Sequence, residues 1–190
     1  MSSPKRIVIS GGPGAGKTTL LEELRRRGYA CSPEVARQII QEQVHIGGNA
    51  LPWGDREAYS RLMLARSVAS WESSVGDSRI IFFDRGIPDT LCYVRLVGLS
   101  SSVEEEALQM CQQYRYWSRV FLAPPWREIY ENDTERKQDF DEAIRTYELM
   151  AQTYRECGYE VVILPQVSAA ERAEVVLRQI EDASLGADAG

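Results

Sequence analysis

The stretch that decides the fold is Arg6-Ile7-Val8-Ile9-Ser10-Gly11-Gly12-Pro13-Gly14-Ala15-Gly16-Lys17-Thr18-Thr19-Leu20-Leu21, near the amino terminus. Its first five residues form the short apolar run that is typical of a buried strand. A glycine-rich segment follows, and leucines at helical spacing (Leu20, Leu21, Leu24) come after it. The stretch therefore predicts a strand, a tight glycine-rich loop and a helix in direct succession.

The loop matches the pattern G-x-x-x-x-G-K-[ST] at every fixed position. Glycines in this arrangement let backbone N–H groups turn inward around a phosphate, and the start of the helix adds a partial positive charge. We expect Lys17 to reach the β- and γ-phosphates and the Thr18 hydroxyl to bind Mg²⁺. The motif predicts a nucleotide site for ATP, formed by Gly11, Gly12, Pro13, Gly14, Ala15, Gly16, Lys17, Thr18 and Thr19.

Four further strand-like runs follow along the chain, at roughly Tyr29–Ser32, Arg79–Asp84, Arg119–Ala123 and Glu160–Leu164. Each is almost continuously apolar, which favours parallel strands buried on both faces, and longer helical patterns separate them. Right-handed helical crossovers would then cover the sheet. The pattern predicts an α/β fold, a three-layer α/β/α sandwich in one domain over residues 1–190, with a flexible tail from about residue 184 to 190.

An acidic residue closes the third predicted strand. Asp84 follows four apolar residues, as in a Walker-B-type strand that brings a carboxylate beside the metal, so we expect Asp84 and Thr18 to bind Mg²⁺. Arg85 comes next, where many ATPases have a Glu that polarises water. Its guanidinium is better suited to gripping an anion of the substrate, which favours transfer over hydrolysis. The alternative is an ion pair on the solvent side.

A second acidic residue, Glu34, follows the second predicted strand. The carboxyl ends of strands in a doubly wound sheet line the crevice where ligands bind. Glu34 could therefore take a proton from a substrate hydroxyl, and Arg37, one helical turn away, could pair with it or with the substrate. The alternative is that Glu34 only complements the dipole of the following helix.

A charged segment over residues 124–139 follows the fourth strand and carries Arg127, Arg136 and Lys137. We predict that it forms a helical lid over the phosphates, in which Arg127 contacts the nucleotide and Arg136 acts on the transferred group. The alternative is an ordinary solvated face.

A loop is expected from Val44 to Asp55 because glycines and a proline interrupt this stretch. Trp53 within it could either stack on a flat substrate or fill the core. His45, the single histidine of the chain, receives no role.

Composition excludes several classes of protein. The formal charge is −6 and the pI about 5.0, which argues against binding of a long nucleic acid or an anionic membrane. The apolar runs are too short to span a bilayer, and no secretory signal is visible, so we expect a cytoplasmic protein. We expect its four cysteines to be reduced thiols, mostly in the core. A homodimer remains open.

Four segments together resemble a known family. They are the loop from Gly11 to Thr19, the stretch 33–37, the stretch 83–89 and the stretch 135–140. The chain resembles the small P-loop proteins catalogued as AAA-type predicted ATPases, over roughly Lys5 to Ile180. That family is similar to the kinase branch of P-loop proteins, which includes the ribosylnicotinamide kinase domain and the deoxynucleoside kinases.

The resemblance implies a five-stranded parallel sheet in the order 2-3-1-4-5 and specific residue roles. Glu34 resembles the general base of deoxynucleoside kinases, Asp84 and Arg85 resemble their acidic residue and arginine pair, and Arg136 resembles an arginine of their lid. Gly86 stands where those kinases commonly have Ser. The stretch from Val44 to Arg56 matches no particular nucleoside pocket.

Three functions are compatible with these residues. The first is transfer of a phosphoryl group from MgATP to a hydroxyl of a small molecule, nucleoside-like or other, with Glu34 or Asp84 as the base. The second is an ATPase or nucleotide-driven switch, which the missing Asp-Glu pair and the missing guanine-reading N-K-x-D motif disfavour. The third is a sensor that binds ATP without chemistry, which intact Lys17, Thr18 and Asp84 disfavour. Transfer is the expectation we favour.

Overall fold

The computed structural model describes residues 5–128 and 140–188, and its centre is one sheet of five parallel strands. The strands are β1 Arg6–Gly11, β2 Ala30–Ser32, β3 Ile81–Asp84, β4 Arg119–Ala123 and β5 Glu160–Ile163. Their order in the sheet is β2-β3-β1-β4-β5. The strand order implied by the family resemblance is therefore confirmed.

Helices cover both faces of the sheet. They are α1 Lys17–Arg26, α2 Val35–Ile46, α3 Arg56–Ser73, α4 Ile87–Leu96, α5 Ser101–Gln113, α6 Phe140–Glu156 and α7 Ala169–Asp188. Ile7 and Ile9 pack into a buried cluster that contains residues of α1 and α7, whereas Val8 packs into a cluster with residues of α4, α5 and α6. Alternate residues of β1 thus enter opposite layers, and the predicted three-layer sandwich is confirmed.

Burial differs between the central and the edge strands. Val120 and Leu122 in β4 are fully buried, but Glu160 and Ile163 in the edge strand β5 are exposed, Ile163 to 53%. The expectation of burial on both faces is therefore wrong for β5, because an edge strand has a neighbour on one side only.

The loop predicted from Val44 begins later than expected. Helix α2 runs through Val44 to Ile46, and Gly47 caps it in a left-handed conformation with φ of 66°. Glycine adopts this conformation without steric cost and commonly ends helices. At the other end of the chain α7 continues to Asp188, beyond the predicted start of the tail near residue 184.

A capping box begins the last helix, as the spacing of Ser168 and Glu171 in the sequence indicates. Ser168 Oγ accepts from the Glu171 N–H at 3.3 Å, and the Glu171 carboxylate accepts from the Ser168 N–H at 3.1 Å. None of the helices in the described residues combines the length and the apolar character that crossing a membrane requires.

The sheet brings three sequence-predicted segments to one edge. Ile9 of β1 lies beside Asp84 of β3 in the parallel register, and the Arg85 N–H donates to the Ile9 carbonyl at 3.0 Å. Because β1 leads into the glycine-rich loop and β2 leads to Glu34, the loop, Asp84 and Glu34 all follow the carboxyl ends of neighbouring strands. Ligand sites of open α/β sheets lie at this edge.

Candidate functional site

The glycine-rich loop has the backbone conformation that its sequence predicts. Gly14 and Gly16 have φ of 73° and 74°, a region that side chains other than glycine rarely adopt. A Cβ at Gly11 would lie 2.6 Å from the Ala123 carbonyl oxygen of the neighbouring strand. Glycine is therefore required at Gly11 for close strand approach, and at Gly14 and Gly16 for the turn that starts α1.

Lys17 lies inside the curve of this loop. Its Nζ donates to the carbonyl oxygens of Gly11 at 2.7 Å and Gly12 at 3.2 Å, and the residue is buried. Burial, together with the charge of Arg85, lowers the pKa of Lys17 to about 8, although nearby carboxylates oppose the shift. The loop thus holds a cation at the point where the motif predicts phosphate.

Arg172 holds the glycine-rich loop through a hydrogen bond to its backbone, and the sequence did not reveal this role. Its Nη1 donates to the Ala15 carbonyl at 2.7 Å and its Nε to the Pro165 carbonyl at 2.8 Å. The guanidinium lies 5.0 Å from the centre of the Trp126 ring, and the residue is only 2% exposed. Its buried Nη2 has no hydrogen-bond partner among the described residues, and burial lowers the pKa of the guanidinium.

The sequence did contain a signal for Arg172. It lies three residues after Ala169 and four before Val176, on the apolar face of the last helix. A charged residue on a buried helical face needs polar partners, so its presence there indicates a structural or functional role. Here the partners are carbonyls of the loop and of the segment after β5.

Glu34 is the N-cap residue of α2, but its side chain caps no backbone N–H of that helix. The carboxylate instead accepts from Arg85 Nε at 2.8 Å and lies 3.7 Å from Arg37 Nε. Burial raises the pKa of Glu34, but the charges of Arg85 and Lys17 outweigh it, so the net shift is downward. Glu34 is therefore an ionised carboxylate at neutral pH, and its side chain serves Arg85 and not the helix terminus.

Arg85 has a backbone conformation that no other non-glycine residue shares in the described part of the chain. Its φ is 73°, a left-handed value that costs about 1–3 kcal/mol. The guanidinium donates to Glu34 at 2.8 Å and to Asp89 at 3.4 Å, and only 21% of the side chain is exposed. Burial lowers the pKa of Arg85, but the neighbouring carboxylates outweigh it and raise the pKa overall. The ion pair lies within the protein and not on its solvent side.

Asp89 completes this cluster, and sequence reasoning gave it no role. Its carboxylate accepts from Ser10 Oγ at 2.5 Å, from the Gly86 N–H at 2.8 Å and from the Tyr154 hydroxyl. The residue is 9% exposed. Asp89 occupies the third position of α4, where an acidic side chain commonly reaches back to the helix start, and this position was the available signal. Asp89 fixes Arg85 from the side opposite Glu34.

Gly86 follows Arg85 and is closely packed. A Cβ there would lie 3.1 Å from the Tyr154 hydroxyl oxygen and 3.1 Å from Val8 Cγ2. These distances are tighter than ordinary van der Waals contact, so the neighbours would have to move for a larger residue. The packing gives a physical reason for glycine at this position.

Asp84 and Thr18, the residues predicted to bind magnesium, both line the cavity beside the glycine-rich loop. Asp84 Oδ1 is buried and has no hydrogen-bond partner among the described residues. Burial raises the pKa of Asp84, and the charge of Lys17 opposes this shift. In the described residues no group of three or more His, Cys, Asp and Glu side chains could hold a metal by itself. Mg²⁺ usually takes one or two protein ligands and completes its shell with water and phosphate oxygens, which this pair allows.

Two cavities meet at these residues. The P-loop cavity, about 710 Å³, is lined by residues of the loop and of α2, including Lys17 and Thr18. The inner cavity, about 230 Å³, lies between α2, α3, α4 and α6. The residues that line both are Pro13, Glu34, Ala36, Asp84 and Arg85. The carboxyl and guanidinium groups predicted from the sequence thus lie at the junction of the two cavities.

Other predicted residues lie elsewhere. Arg127 contacts the Phe140 ring at 4.3 Å and lines neither cavity, whereas Arg136 and Lys137 lie outside the described residues, as does most of the predicted lid. Trp53 is 67% exposed and lines neither cavity, so it does not fill the core. Two of the four free cysteines, Cys92 and Cys111, are buried, and the other two are half-buried.

Solved structures with similar folds include two kinases. The NadR protein in complex with NR aligns with a TM-score of 0.70 at 20% identity, over 93% of this chain and 51% of that one, so this chain spans about half of its length. Deoxyadenosine kinase from M. mycoides with products dCMP and a flexible dCDP bound gives 0.64 at 15% identity, over 93% and 99% of the two chains. Shikimate kinase from Acinetobacter baumannii in complex with shikimate gives 0.58 at 16%, over 97% and 96%. The fold is thus that of P-loop kinases.

Comparison with curated proteins gives no match. The model of a family described as "AAA domain" matches residues 6–172, from the start of β1 to Arg172 in α7. That range contains the glycine-rich loop, Glu34, Asp84 and Arg85. The resemblance identified from the sequence is confirmed: the chain belongs to this AAA domain family of P-loop proteins.

Proposed function

We propose that the protein is a kinase that transfers the γ-phosphoryl group of ATP to a hydroxyl of a small molecule. The observation that carries this proposal is that Glu34, Asp84 and Arg85 line the P-loop cavity and the inner cavity at once. A triphosphate in the first cavity and a hydroxyl compound in the second would meet at these side chains.

The P-loop supplies binding and electrostatic stabilisation of the phosphates. The backbone N–H groups at the start of α1 and the Lys17 ammonium place positive charge where the β- and γ-phosphates would lie. Arg172 holds the loop through the Ala15 carbonyl, so the donors need little reorganisation when the nucleotide binds. In phosphoryl transfer such positioning provides most of the rate enhancement.

Glu34 is the proposed base. The acceptor oxygen forms a bond to Pγ, the bond from Pγ to the bridging oxygen breaks, and ADP leaves with that electron pair. The hydroxyl proton passes to the Glu34 carboxylate. The lowered pKa of Glu34 keeps its carboxylate ionised, but it also makes the carboxylate a weak base. A weak base is sufficient because the transition state has little bonding to the acceptor oxygen. Arg85 orients the carboxylate through their 2.8 Å hydrogen bond.

Thr18 and Asp84 would hold the magnesium ion, since the buried, unpartnered Asp84 Oδ1 and a hydroxyl in the same cavity match its preference for oxygen. A magnesium ion held there would supply positive charge that neutralises the charge developing on the phosphates. This assignment leaves Glu34 available for the proton.

Hydrolysis is the competing function. Water-activating ATPases place a carboxylate directly after the Walker-B Asp, but here that residue is Arg85, which is paired with Glu34 and Asp89. The kinase folds of the similar structures also support transfer. A lid over residues 124–139 that excludes water, with Arg136 on the transferred group, belongs to this proposal. Cytoplasmic residence and a single domain remain predictions from the sequence, and the oligomeric state, including a homodimer, remains open.

The test is ADP release from MgATP with and without a panel of nucleosides, sugars and other hydroxyl compounds. We expect at least one compound to stimulate ADP release well above the rate with ATP alone. Lys17→Ala, prepared in the same way, measures contaminating activity, because it removes the cation that binds the phosphates. ADP release that no compound changes, and that Lys17→Ala abolishes, would favour the ATPase function.

A further inference from the structure

The lining of the inner cavity indicates the class of acceptor, and this inference rests on the proposed function. We propose that the acceptor is an uncharged alcohol with a compact apolar body, and that Tyr93 and Thr146 bind a polar group at its far end. Beyond the site described above, these two residues would determine specificity.

A negatively charged acceptor would find no unpaired positive side chain among the described residues that line the inner cavity. Its described lining residues include three carboxyl groups, those of Glu34, Asp84 and Asp89, and one guanidinium, that of Arg85. Arg85 already donates to Glu34 and Asp89, and no Lys, no His and no other Arg occurs among the described residues that line the inner cavity. Leaving an anion unpaired beside three carboxyl groups in a partly buried site is unfavourable.

A cationic acceptor has no free partner either. Glu34 is paired with Arg85, and Asp89 accepts from Ser10, Gly86 and Tyr154. Asp84 is assigned to the magnesium ion. Each carboxylate of the cavity lining thus has a function or a partner.

Apart from the four charged residues, the polar side chains that line the cavity carry hydroxyl groups. No Asn, Gln, His or Lys occurs among the described residues that line the cavity, so it lacks the amide pairs that read a nucleobase edge. Ser70 already shares a hydrogen bond with Ser32 at 2.8 Å. A ligand rich in donors and acceptors would leave many of them unpaired, which costs affinity.

Two buried hydroxyl oxygens of residues that line the cavity have no hydrogen-bond partner among the described residues. The Tyr93 Oη and the Thr146 Oγ1 are buried and form no hydrogen bond among the described residues, and Thr146 is only 8% exposed. Buried polar groups in native proteins are nearly always paired, so each unpaired one needs an explanation. Both residues line the inner cavity, and we expect a polar group of the ligand to supply the missing partner.

The remaining wall is apolar. Met63, Leu96 and Met150 contribute flexible hydrophobic side chains, and the rings of Tyr59 and Tyr93 meet edge to face at 5.4 Å between their centres. Methionine adapts to irregular shapes, and aromatic rings bury large apolar areas. The volume of about 230 Å³ lies below the ~300–1,000 Å³ of most ligand pockets, which favours a compact molecule.

The first experiment compares matched acceptors of one shape with MgATP. They are benzene-1,4-dimethanol, which is neutral, 4-(hydroxymethyl)benzoate, an anion, and 4-(hydroxymethyl)benzylamine, a cation. Deoxyadenosine and shikimate are included because the kinases with similar folds are named for them. We expect kcat/KM for the neutral diol to exceed every other value at least tenfold. A charged compound or deoxyadenosine that is used equally well or better would overturn the inference.

Binding measured in parallel separates this inference from the proposed function. Calorimetry uses the same compounds in the presence of Mg²⁺ and a non-hydrolysable ATP analogue. Binding of the diol without any transfer would support the acceptor class and contradict the kinase. Transfer to shikimate or the benzoate in preference to the diol would support the kinase and contradict the acceptor class. If the diol is neither bound nor phosphorylated, the proposed acceptor class is also contradicted.

The second experiment tests the two hydroxyl groups. Tyr93→Phe and Thr146→Val should each raise KM for benzene-1,4-dimethanol about tenfold, the size of one lost hydrogen bond in a buried site. KM for benzyl alcohol, which lacks the second hydroxyl, should change less than twofold in both variants. Tyr147→Phe is the matched control, because Tyr147 is the next residue of α6 and lines neither cavity. An unchanged KM for the diol in both variants would refute the role of these residues.

Discussion

Replacement of Glu34 by Gln separates base catalysis from nucleotide binding. Glutamine keeps the size of the side chain and an oxygen that accepts from Arg85, but it cannot take a proton at neutral pH. A general base contributes about 10²- to 10⁴-fold to the rate, which equals about 3–5 kcal/mol of activation free energy. We expect kcat for acceptor-dependent transfer to fall by this factor.

The structure bounds what the same change does to folding. The Glu34–Arg85 pair is about four-fifths buried on both sides, so its conversion to a neutral hydrogen bond costs about 1–3 kcal/mol of the free energy of unfolding. The free energy of unfolding of native domains is about 5–15 kcal/mol, so the variant should remain folded. Loss of a negative charge near Lys17 should leave MgATP affinity unchanged or slightly higher.

The assay combines steady-state kinetics with calorimetric binding of MgATP to the wild type and to Glu34→Gln. Glu42→Gln is the matched control, because Glu42 lies on the same helix, pairs with Arg66 at 2.6 Å and lines neither cavity. Glu42→Gln should keep kcat within about twofold, as expected for an exposed ion pair. A Glu34→Gln variant with wild-type kcat, or one that loses MgATP affinity more than tenfold, would refute the role of Glu34 as base.

Substitutions at four further residues test other parts of the site. Asp84→Asn should weaken the dependence on magnesium, so that activity partly returns at high Mg²⁺, and a loss that high Mg²⁺ does not relieve would contradict its role as ligand. Lys17→Ala should abolish MgATP turnover and keep the circular dichroism spectrum of the fold, and turnover within a few-fold of wild type would show that the P-loop assignment is wrong. Arg172→Met should raise KM for ATP more than it lowers kcat and should cost about 3–5 kcal/mol of stability, whereas Arg172→Lys should recover part of both, and an unchanged KM in the folded protein would leave Arg172 a structural residue only. Arg136→Ala should lower kcat by ~10³-fold with little change in KM for ATP, and the reverse pattern would indicate ground-state binding.

The sequence predicted those features that depend on residues close together in the chain. The strand before Gly11, the turn at Gly14 and Gly16 and the helix after Lys17 follow from local composition and spacing. The capping box of the last helix was visible for the same reason. The end of α2 was predicted wrongly because the glycines after Ile46 indicate a loop but do not fix where the preceding helix stops.

Contacts between distant residues were not predictable. The hydrogen bond between Glu34 and Arg85 joins residues 51 positions apart, and it forms because β2 and β3 are neighbours in register. Asp89 meets Tyr154 across 65 positions, and Arg172 meets Ala15 across 157. No local pattern encodes these distances. The positive φ of Arg85 was equally hidden, since arginine rarely adopts it.

The most direct measurement follows the γ-phosphoryl group itself. A single turnover with ATP labelled at the γ-phosphorus is run with enzyme in excess, with and without the acceptor panel, and the products are separated by chromatography. We expect the label to appear on an alcohol as a phosphate ester, with little additional orthophosphate. Label found only in orthophosphate, at the same rate with every acceptor, would show that this P-loop protein is not a kinase.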